Sequence, residues 1–357
     1  MTLPATTKRV FRLGMWIDPV FEERLGREPG VELLRCPVKA SEDAFLEAVS
    51  TAHVYHTSSA KDENPRHAFT SAALIARCPD LLIVSTYGAG YDTVDVAACT
   101  RAGVIVVNQA GGNAQSVAEH TLGLALAVSH RIGESDRLLR RARGFRREDL
   151  MGREIAGKVI GLVGIGHVGT RVARLARAFG MEVLAVDPYL TEEEIARRGA
   201  KAVTFEELLA QSDFVSLHCP RDQATLGMMN ASAFAQMKQG SIFLTTARGG
   251  IHDEAALLAA LRSGKLAGAG IDVWDQEPPP LDHALLACDN VVGTVHTAGV
   301  TREARRNVAA MGAEQIAGLL KGGRPPRLVN PEAWPAYAAR FEACMGFAVA
   351  RVSADED

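Results

Sequence analysis

Short β-branched runs alternate along this chain with stretches rich in Ala, Leu and Arg. That rhythm predicts βαβ units and parallel sheets, because the runs are too apolar for half-solvated strands and the stretches between them suit crossover helices. In the first third, strands are predicted at Val10–Leu13, His53–His56, Leu81–Ser85 and Val104–Val107. Helices are predicted at Ser41–Val49 and Val94–Thr100, the second with Asp92 or Thr93 as its cap.

Ser116–Ile132 reads differently, as one long apolar helix carrying Val117, Leu122, Leu124, Leu126, Val128 and Ile132. Ser116, with Glu119 three residues on, predicts a capping box at its start. Its apolarity predicts burial between domains or subunits. A second alternating series follows, with strands predicted at Val159–Val163, Val183–Val186, Phe214–Leu217, Ile242–Thr245, Gly268–Ile271 and Val291–Val292. That is the strand count of a complete doubly wound domain. Beyond Pro335 the chain reads as helical and then acidic.

Composition narrows the class. A chain of 357 residues, 47% hydrophobic and 23% charged, has room for two domains with sizeable cores. A net charge of -3 gives no footprint for nucleic acid or an anionic membrane. The basic stretch Arg137–Arg147 is read as a solvated or subunit-facing helix end, with an anion site as the alternative. Six scattered cysteines form no C-x-x-C and no zinc spacing. They are read as reduced thiols of a cytoplasmic protein, with no metal site. Neither an N-terminal signal peptide nor a membrane-spanning apolar run is visible.

The sharpest local signal is Val159-Ile160-Gly161-Leu162-Val163-Gly164-Ile165-Gly166-His167-Val168-Gly169, a strand, a turn and a helix start with G-x-G-x-x-G at the turn. Gly164 permits the tight turn, Gly166 lets backbone approach a pyrophosphate, and Gly169 lets the helix pack on the strand. The helix N-terminus offers N–H groups to the phosphates. Asp187 stands 18 residues past Gly169 at the end of the next strand. Its carboxylate can accept from ribose hydroxyls and repel a 2′-phosphate, which favours NAD over NADP.

From Ser85 onward, several stretches occur together in one order. They are Tyr87-Gly88-Ala89-Gly90-Tyr91-Asp92, Ser116-Val117-Ala118-Glu119-His120, the glycine motif, Leu217-His218-Cys219-Pro220, Ala247-Arg248-Gly249-Gly250, Asp272-Val273-Trp274-Asp275-Gln276-Glu277-Pro278 and Thr294-Val295-His296-Thr297-Ala298-Gly299. In this set the chain resembles the D-isomer-specific 2-hydroxyacid dehydrogenases over roughly residues 85–330. The resemblance implies an α/β protein of two Rossmann-like or flavodoxin-like domains on doubly wound parallel sheets, with the active site in an interdomain cleft. Residues 1–112 with 298–335 would form a discontinuous substrate domain, 113–297 the NAD domain and 336–357 a tail. It also implies a homodimer joined through the nucleotide domains.

Reducing a 2-keto acid requires that its carboxylate be held, its carbonyl polarised and a proton supplied. A permanently charged, bidentate arginine suits the first two tasks and a histidine the third. The family's Arg–Glu–His set maps onto Arg248, Glu277 and His296, all at strand ends, with Glu277 raising the pKa of His296. Formate dehydrogenases carry Gln where Glu277 stands, which points away from formate. The resemblance further implies cofactor contacts at Gly164, Gly166, His167, Val168, Gly169, Asp187, His218, Cys219, Pro220, Thr225, Ala247 and Asp272. Backbone at Gly88, Ala89 and Gly90 would cradle the substrate carboxylate, with Asn113 also approaching substrate.

Phosphoglycerate enzymes carry an arginine in a V-R-S-x-T-K-like stretch. The corresponding Val54–Lys61 here has histidine and lysine but no arginine, which speaks against a phosphorylated substrate. The residues after 335 also leave no room for a regulatory domain. His53, His56, Lys61 and Tyr87 are the candidates for specificity. A non-catalytic NAD-sensing scaffold, like the corepressors that share this fold, remains the alternative to an enzyme.

Overall fold

The computed structural model describes residues 7–350. The chain divides into two compact units: residues up to Asn113 with those from Arg302 onward, and Ala114–Thr301.

The first unit begins with β1 (Lys8–Leu13), α1 (Val20–Leu25), β2 (Val31–Cys36), α2 (Glu42–Val49), β3 (Val54–Thr57), α3 (Ala72–Ala76), β4 (Ile83–Thr86), α4 (Val96–Arg101) and β5 (Ile105–Val107). The strands lie in the order β2-β1-β3-β4-β5, all parallel. This is the flavodoxin-like order, which reverses between β1 and β3. β3, β4 and β5 are buried throughout, the polar His56, Thr57, Ser85 and Thr86 at the ends of β3 and β4 included. β2 escapes prediction because it is an edge strand, with Glu32 and Arg35 exposed among its apolar residues. Ser41 caps α2, accepting from the Ala44 N–H. Neither Asp92 nor Thr93 caps α4. Asp95 does, accepting from Ala98 N, while the Thr93 hydroxyl donates to Ser58 O.

The second unit opens with α5 (Ala114–Ser129) and α6 (Ile132–Arg141). Two expectations change here. The long helix breaks after Ser129, and Arg131 turns left-handed (φ 54°) before α6. Ser116 lies inside the helix and forms no capping box; its hydroxyl donates to Ala298 O at 2.6 Å. The apolarity of α5 is used within this unit: Leu122, Leu124, Ala125 and Val128 pack on the sheet core.

The sheet comprises β6 (Val159–Val163), β7 (Glu182–Val186), β8 (Lys201–Ala202), β9 (Phe214–Leu217), β10 (Ser241–Thr245), β11 (Leu266–Ile271) and β12 (Val291–Gly293). It carries α7 (His167–Ala178), α8 (Glu192–Arg197), α9 (Phe205–Gln211), α10 (Ala231–Gln236) and α11 (Glu254–Arg262). The order β12-β11-β10-β9-β6-β7-β8 is parallel throughout and reverses between β6 and β9. This is the dinucleotide-binding order with one more strand at the edge. β8, only two residues long, is too short to read from sequence. Gly268 and Gly270 of β11 seat α5: a Cβ on either would lie 2.5 Å from Val128 Cγ1 or 2.8 Å from Leu124 Cβ.

The chain then returns to the first unit as α12 (Arg302–Leu320) and α13 (Trp334–Met345). α12 lays Ala309, Ala313 and Ile316 against Phe21 and Leu25 of α1. Residues 336–345 are no detached tail. Tyr337, Phe341 and Met345 are buried in the same core, and Arg340 donates to Leu81 O at 3.0 Å and to Ala102 O.

Phe341→Ala should therefore cost about 3–5 kcal/mol, the usual range for emptying a buried aromatic site. Urea unfolding of the two proteins measures it. A change within about 0.5 kcal/mol, typical of surface positions, would contradict the placement of α13 in this core.

Candidate active site

After β6 the chain turns through Gly164, Ile165 and Gly166 into α7, and the three motif glycines serve three different ends. Gly164 has φ 91°, and a Cβ there would lie 2.9 Å from Cys219 N. Gly169 presses on the turn, since its Cβ would stand 2.3 Å from Gly164 O. A Cβ on Gly166 would meet nothing within 4 Å. That open space lies at the start of a 12-residue helix, opened by His167 and Val168, that no side chain caps. Uncapped N–H groups, helix dipole and open space together suit a pyrophosphate.

Asp187 follows β7 and reaches back to this turn. Its carboxylate accepts from Ile165 N at 3.0 Å and Tyr189 N at 3.1 Å, leaving lone pairs for ribose hydroxyls. Across the switch point, His218 N donates to Val163 O, and His218 Nε2 lies 2.9 Å from Ser216 Oγ. Desolvation of its ring holds His218 at about 4, so the imidazole is neutral. Burial raises the Cys219 thiol to about 11, so it is no nucleophile at neutral pH. The Thr225 hydroxyl donates to Pro220 O at 2.7 Å and closes the loop after β9. These residues fit a dinucleotide.

The structure brings Arg248, Glu277 and His296 onto the C-terminal ends of three adjacent strands, β10, β11 and β12. Nδ1 of His296 lies 2.8 Å from Oε2 of Glu277. The other Glu277 oxygen accepts from Trp274 N at 3.0 Å, and the Trp274 indole N–H donates to Thr294 O at 2.9 Å. Burial alone would lower the His296 pKa, but the hydrogen bond and charge of Glu277 outweigh it and raise the value above 6.5, against an opposing push from Arg248. For Glu277, burial acts upward, yet the partnered imidazole, the Trp274 N–H and Arg248 bring its pKa below 4.5. The pair is therefore ionised together over a window that opens below 4.5 and closes above 6.5. Ala247 is buried beneath Arg248, and Arg248 Nη1 donates to Ala247 O at 2.7 Å.

His296 has φ 50°, a left-handed conformation that is costly for a side-chain-bearing residue. Asp272 holds it there. Its buried carboxylate accepts from Thr294 Oγ1 at 2.6 Å, Thr297 N at 2.8 Å and Ala298 N at 3.0 Å, and its carbonyl accepts from His296 N at 2.7 Å. The observed work of Asp272 is thus to shape the loop that bears His296. Sequence reading missed two contributors. His120 of α5 places Nε2 3.0 Å from Thr294 Oγ1, and Thr121 pairs with Thr246 at 3.1 Å. The signal was available: Ser116 and His120, one turn apart, and Thr121 stand polar on a helix that is otherwise rich in apolar residues.

In the first unit, β4 runs into Tyr87 and the turn Gly88-Ala89-Gly90. Gly88 O accepts from Gln109 N at 2.8 Å, and Ala89 O from Asn108 Nδ2 at 2.9 Å. With the carbonyls held, the N–H groups of residues 88–90 meet no protein acceptor among the described residues. Asn113 ends this unit, half-buried. A cavity of about 390 Å³ in the second unit is lined by Ile242, Ala267 and Val292 near the starts of β10–β12. It lies at the wrong edge of the sheet for the Arg–Glu–His chemistry.

A doubly wound sheet with a glycine turn at its switch point and a carboxylate–imidazole pair at its strand ends defines a dinucleotide-binding α/β protein. The chain belongs to the D-isomer specific 2-hydroxyacid dehydrogenase family, whose NAD binding domain matches residues 122–298. It is 43% identical over 251 residues to a D-3-phosphoglycerate dehydrogenase of Archaeoglobus fulgidus, covering 70% of this chain and 47% of that protein. It is 38% identical over 264 residues to a glyoxylate reductase of Korarchaeum cryptofilum, covering 73% and 80%. The chain thus spans about half the length of the phosphoglycerate relative and most of the glyoxylate one. A solved glyoxylate reductase from Paecilomyes thermophila superposes with TM-score 0.80 at 27% identity, covering 92% of this chain and 99% of that one.

Gly166→Ala should fold as the unmodified protein does but bind NADH on the order of tenfold more weakly, about 1.4 kcal/mol. Gly169→Ala should instead lower the melting temperature. NADH fluorescence titration and thermal melting separate the two, and undiminished NADH binding by Gly166→Ala would remove the pyrophosphate from this turn.

Proposed function

We propose that this chain is an NAD-dependent oxidoreductase interconverting a small, unphosphorylated 2-keto acid and its 2-hydroxy acid. The observation that carries the reading is the Glu277–His296 ion pair beside Arg248, on the same sheet as the glycine turn. NAD, when bound, supplies or accepts the hydride. Arg248 holds the substrate carboxylate and polarises the carbonyl. The N–H groups of Gly88, Ala89 and Gly90 take up the carboxylate as well, with Asn113 at the end of that unit. His296 keeps Nδ1 on Glu277 and delivers a proton from Nε2 to the carbonyl oxygen; in the oxidation direction it receives one. Asp187 favours NAD over NADP.

The charge state of His56 supports an unphosphorylated substrate. His56 is fully buried, stacked 4.4 Å from the Phe21 ring, and burial pushes it down to about 3, so it offers no cation. The relative matched over most of its own length is named a glyoxylate reductase, which supports a small keto acid.

A homodimer is part of this reading. No residue of α6 is buried, although the helix carries Ile132 and Leu139, each more than half exposed. A second copy would cover that face, with Arg140–Asp136 and Arg131–Glu134 at its rim. All six cysteines are free, which suits a reducing cytoplasm. Among the described residues no helix is long and apolar enough to cross a membrane.

NADH oxidation with a panel of 2-keto acids tests the activity; tight NADH binding with no turnover would point to a sensing scaffold instead. With an active acid, reduction should fall as pH rises through the His296 pKa, and oxidation should rise over the same range. The midpoint should lie above 6.5 and move lower in Glu277→Gln. His296→Ala should lose ~10²–10⁴-fold in turnover, and Arg248→Ala should raise KM as well as lower kcat. An unmoved midpoint in Glu277→Gln would reassign the proton relay. Light scattering should give twice 38.1 kDa, and a monomer at micromolar concentration would remove the dimer.

A further inference from the structure

Arg248 hangs from a loop that its own sequence does not stiffen. Gly249 and Gly250 follow it, and Gly250 sits at φ 79°. The loop instead takes its position from outside. Gly249 is pressed so closely on the next loop that a Cβ there would stand 2.0 Å from Trp274 O. Gly250 N donates to Asp275 Oδ1 at 2.7 Å, and Gly250 O accepts from Gly227 N at 2.8 Å. The segment Trp274–Asp275 is therefore the surface on which the arginine loop rests. The same segment reaches the other two chemical groups, through Trp274 N to Glu277 and through the Trp274 indole to Thr294, two residues before His296.

This bracket needs an anchor, because Asp275 itself is exposed. The anchor is a second carboxylate–imidazole pair. Glu254 is the first residue of α11, just after its cap Asp253. One oxygen of Glu254 accepts from Asp275 N at 2.9 Å, and the other lies 3.0 Å from His283 Nε2. The two side chains are only 15% and 19% exposed, so water competes poorly for their hydrogen bonds. The His283 ring stands edge-on to Trp274, with centroids 5.3 Å apart. A carboxylate at a helix start is also favoured by the helix dipole.

We propose that Glu254 and His283 are positioning residues: together they clamp the Trp274–Asp275 bracket and so set where Arg248 stands relative to Glu277 and His296. The clamp touches neither substrate nor cofactor. It acts through the arginine, and so rests on the reading that Arg248 holds the keto acid carboxylate. Its loss lets the guanidinium drift while the Glu277–His296 pair keeps its own hydrogen bond.

The test is steady-state reduction of glyoxylate, or of the best keto acid of the panel, by Glu254→Ala and Glu254→Gln in the full-length protein. Glu254→Ala should lower kcat/KM ~10- to 100-fold, mainly through KM, as expected for misplacement from beyond the reacting atoms. NADH affinity and the pH midpoint of reduction should stay where they are. Glu254→Gln keeps a carbonyl for Asp275 N and an amide for His283, and should recover most of the loss. In an Arg248→Lys background, Glu254→Ala should add little, because the two act as a unit. Equal losses in both backgrounds, a fall in kcat with KM unchanged, or a moved midpoint would each overturn the proposal. Backbone amide exchange gives a readout free of turnover: Gly250 and Asp275 should exchange faster in Glu254→Ala. If no keto acid is reduced by the unmodified protein, the proposed function fails, and the exchange result alone decides the clamp.

Discussion

Removing a carboxylate from water costs several kcal/mol unless its lone pairs are met by donors. Asp272 is wholly buried, and the hydrogen bonds its carboxylate accepts all come from one loop, Thr294 Oγ1, Thr297 N and Ala298 N, with His120 Nε2 of α5 3.6 Å away. The loop cannot relax without orphaning that charge. This is what keeps His296 in a left-handed conformation worth on the order of 1–3 kcal/mol of strain. Held there, the imidazole meets Glu277, and its raised pKa follows from that meeting. The geometry of the Glu277–His296 pair thus depends on a third group, Asp272, that is not part of the pair.

Close packing supplies the platform beneath. Gly268 and Gly270 let α5 come down on β11, and Gly161 leaves room for Leu208, whose Cγ would otherwise lie 2.6 Å from a Cβ. With α5 seated, its polar residues Ser116, His120 and Thr121 reach the loops beyond β12 and β10. One helix therefore does two jobs on one face, covering the sheet with leucines and tethering the loops with hydroxyls and an imidazole. Sliding it by one turn would lose both.

Much of this was legible in the sequence. The buried parallel strands β3 to β6 and β9 to β11 are rich in apolar residues, and burial on both faces makes them easy to see even where His56, Ser85 or Ser216 is buried with them. The glycine motif and the Arg248, Glu277 and His296 positions were readable because strand ends, charge and glycine spacing coincide there. The misses have physical causes. β2 and β8 are edge strands, where half the residues face solvent and the apolar run is broken. The capping box expected at Ser116 failed because the same residue pair occurs inside a helix, where the Ser116 hydroxyl donates to the carbonyl of Ala298 instead. The Glu254–His283 pair joins residues 29 apart with no shared motif. Only the fold reveals that their loops meet.

The return of the chain to its first unit has a consequence for synthesis. Residues 114–301 are contiguous and can close their core as soon as they leave the ribosome. The first unit cannot. Phe21, Leu25 and Val54 wait for Ala309, Ile316, Tyr337 and Phe341. At ~5–20 residues per second, that wait lasts roughly 10–50 s. During it the residues up to Asn113 present an unfinished apolar face. Of the two units, the one that is begun earlier is thus the later to close its core.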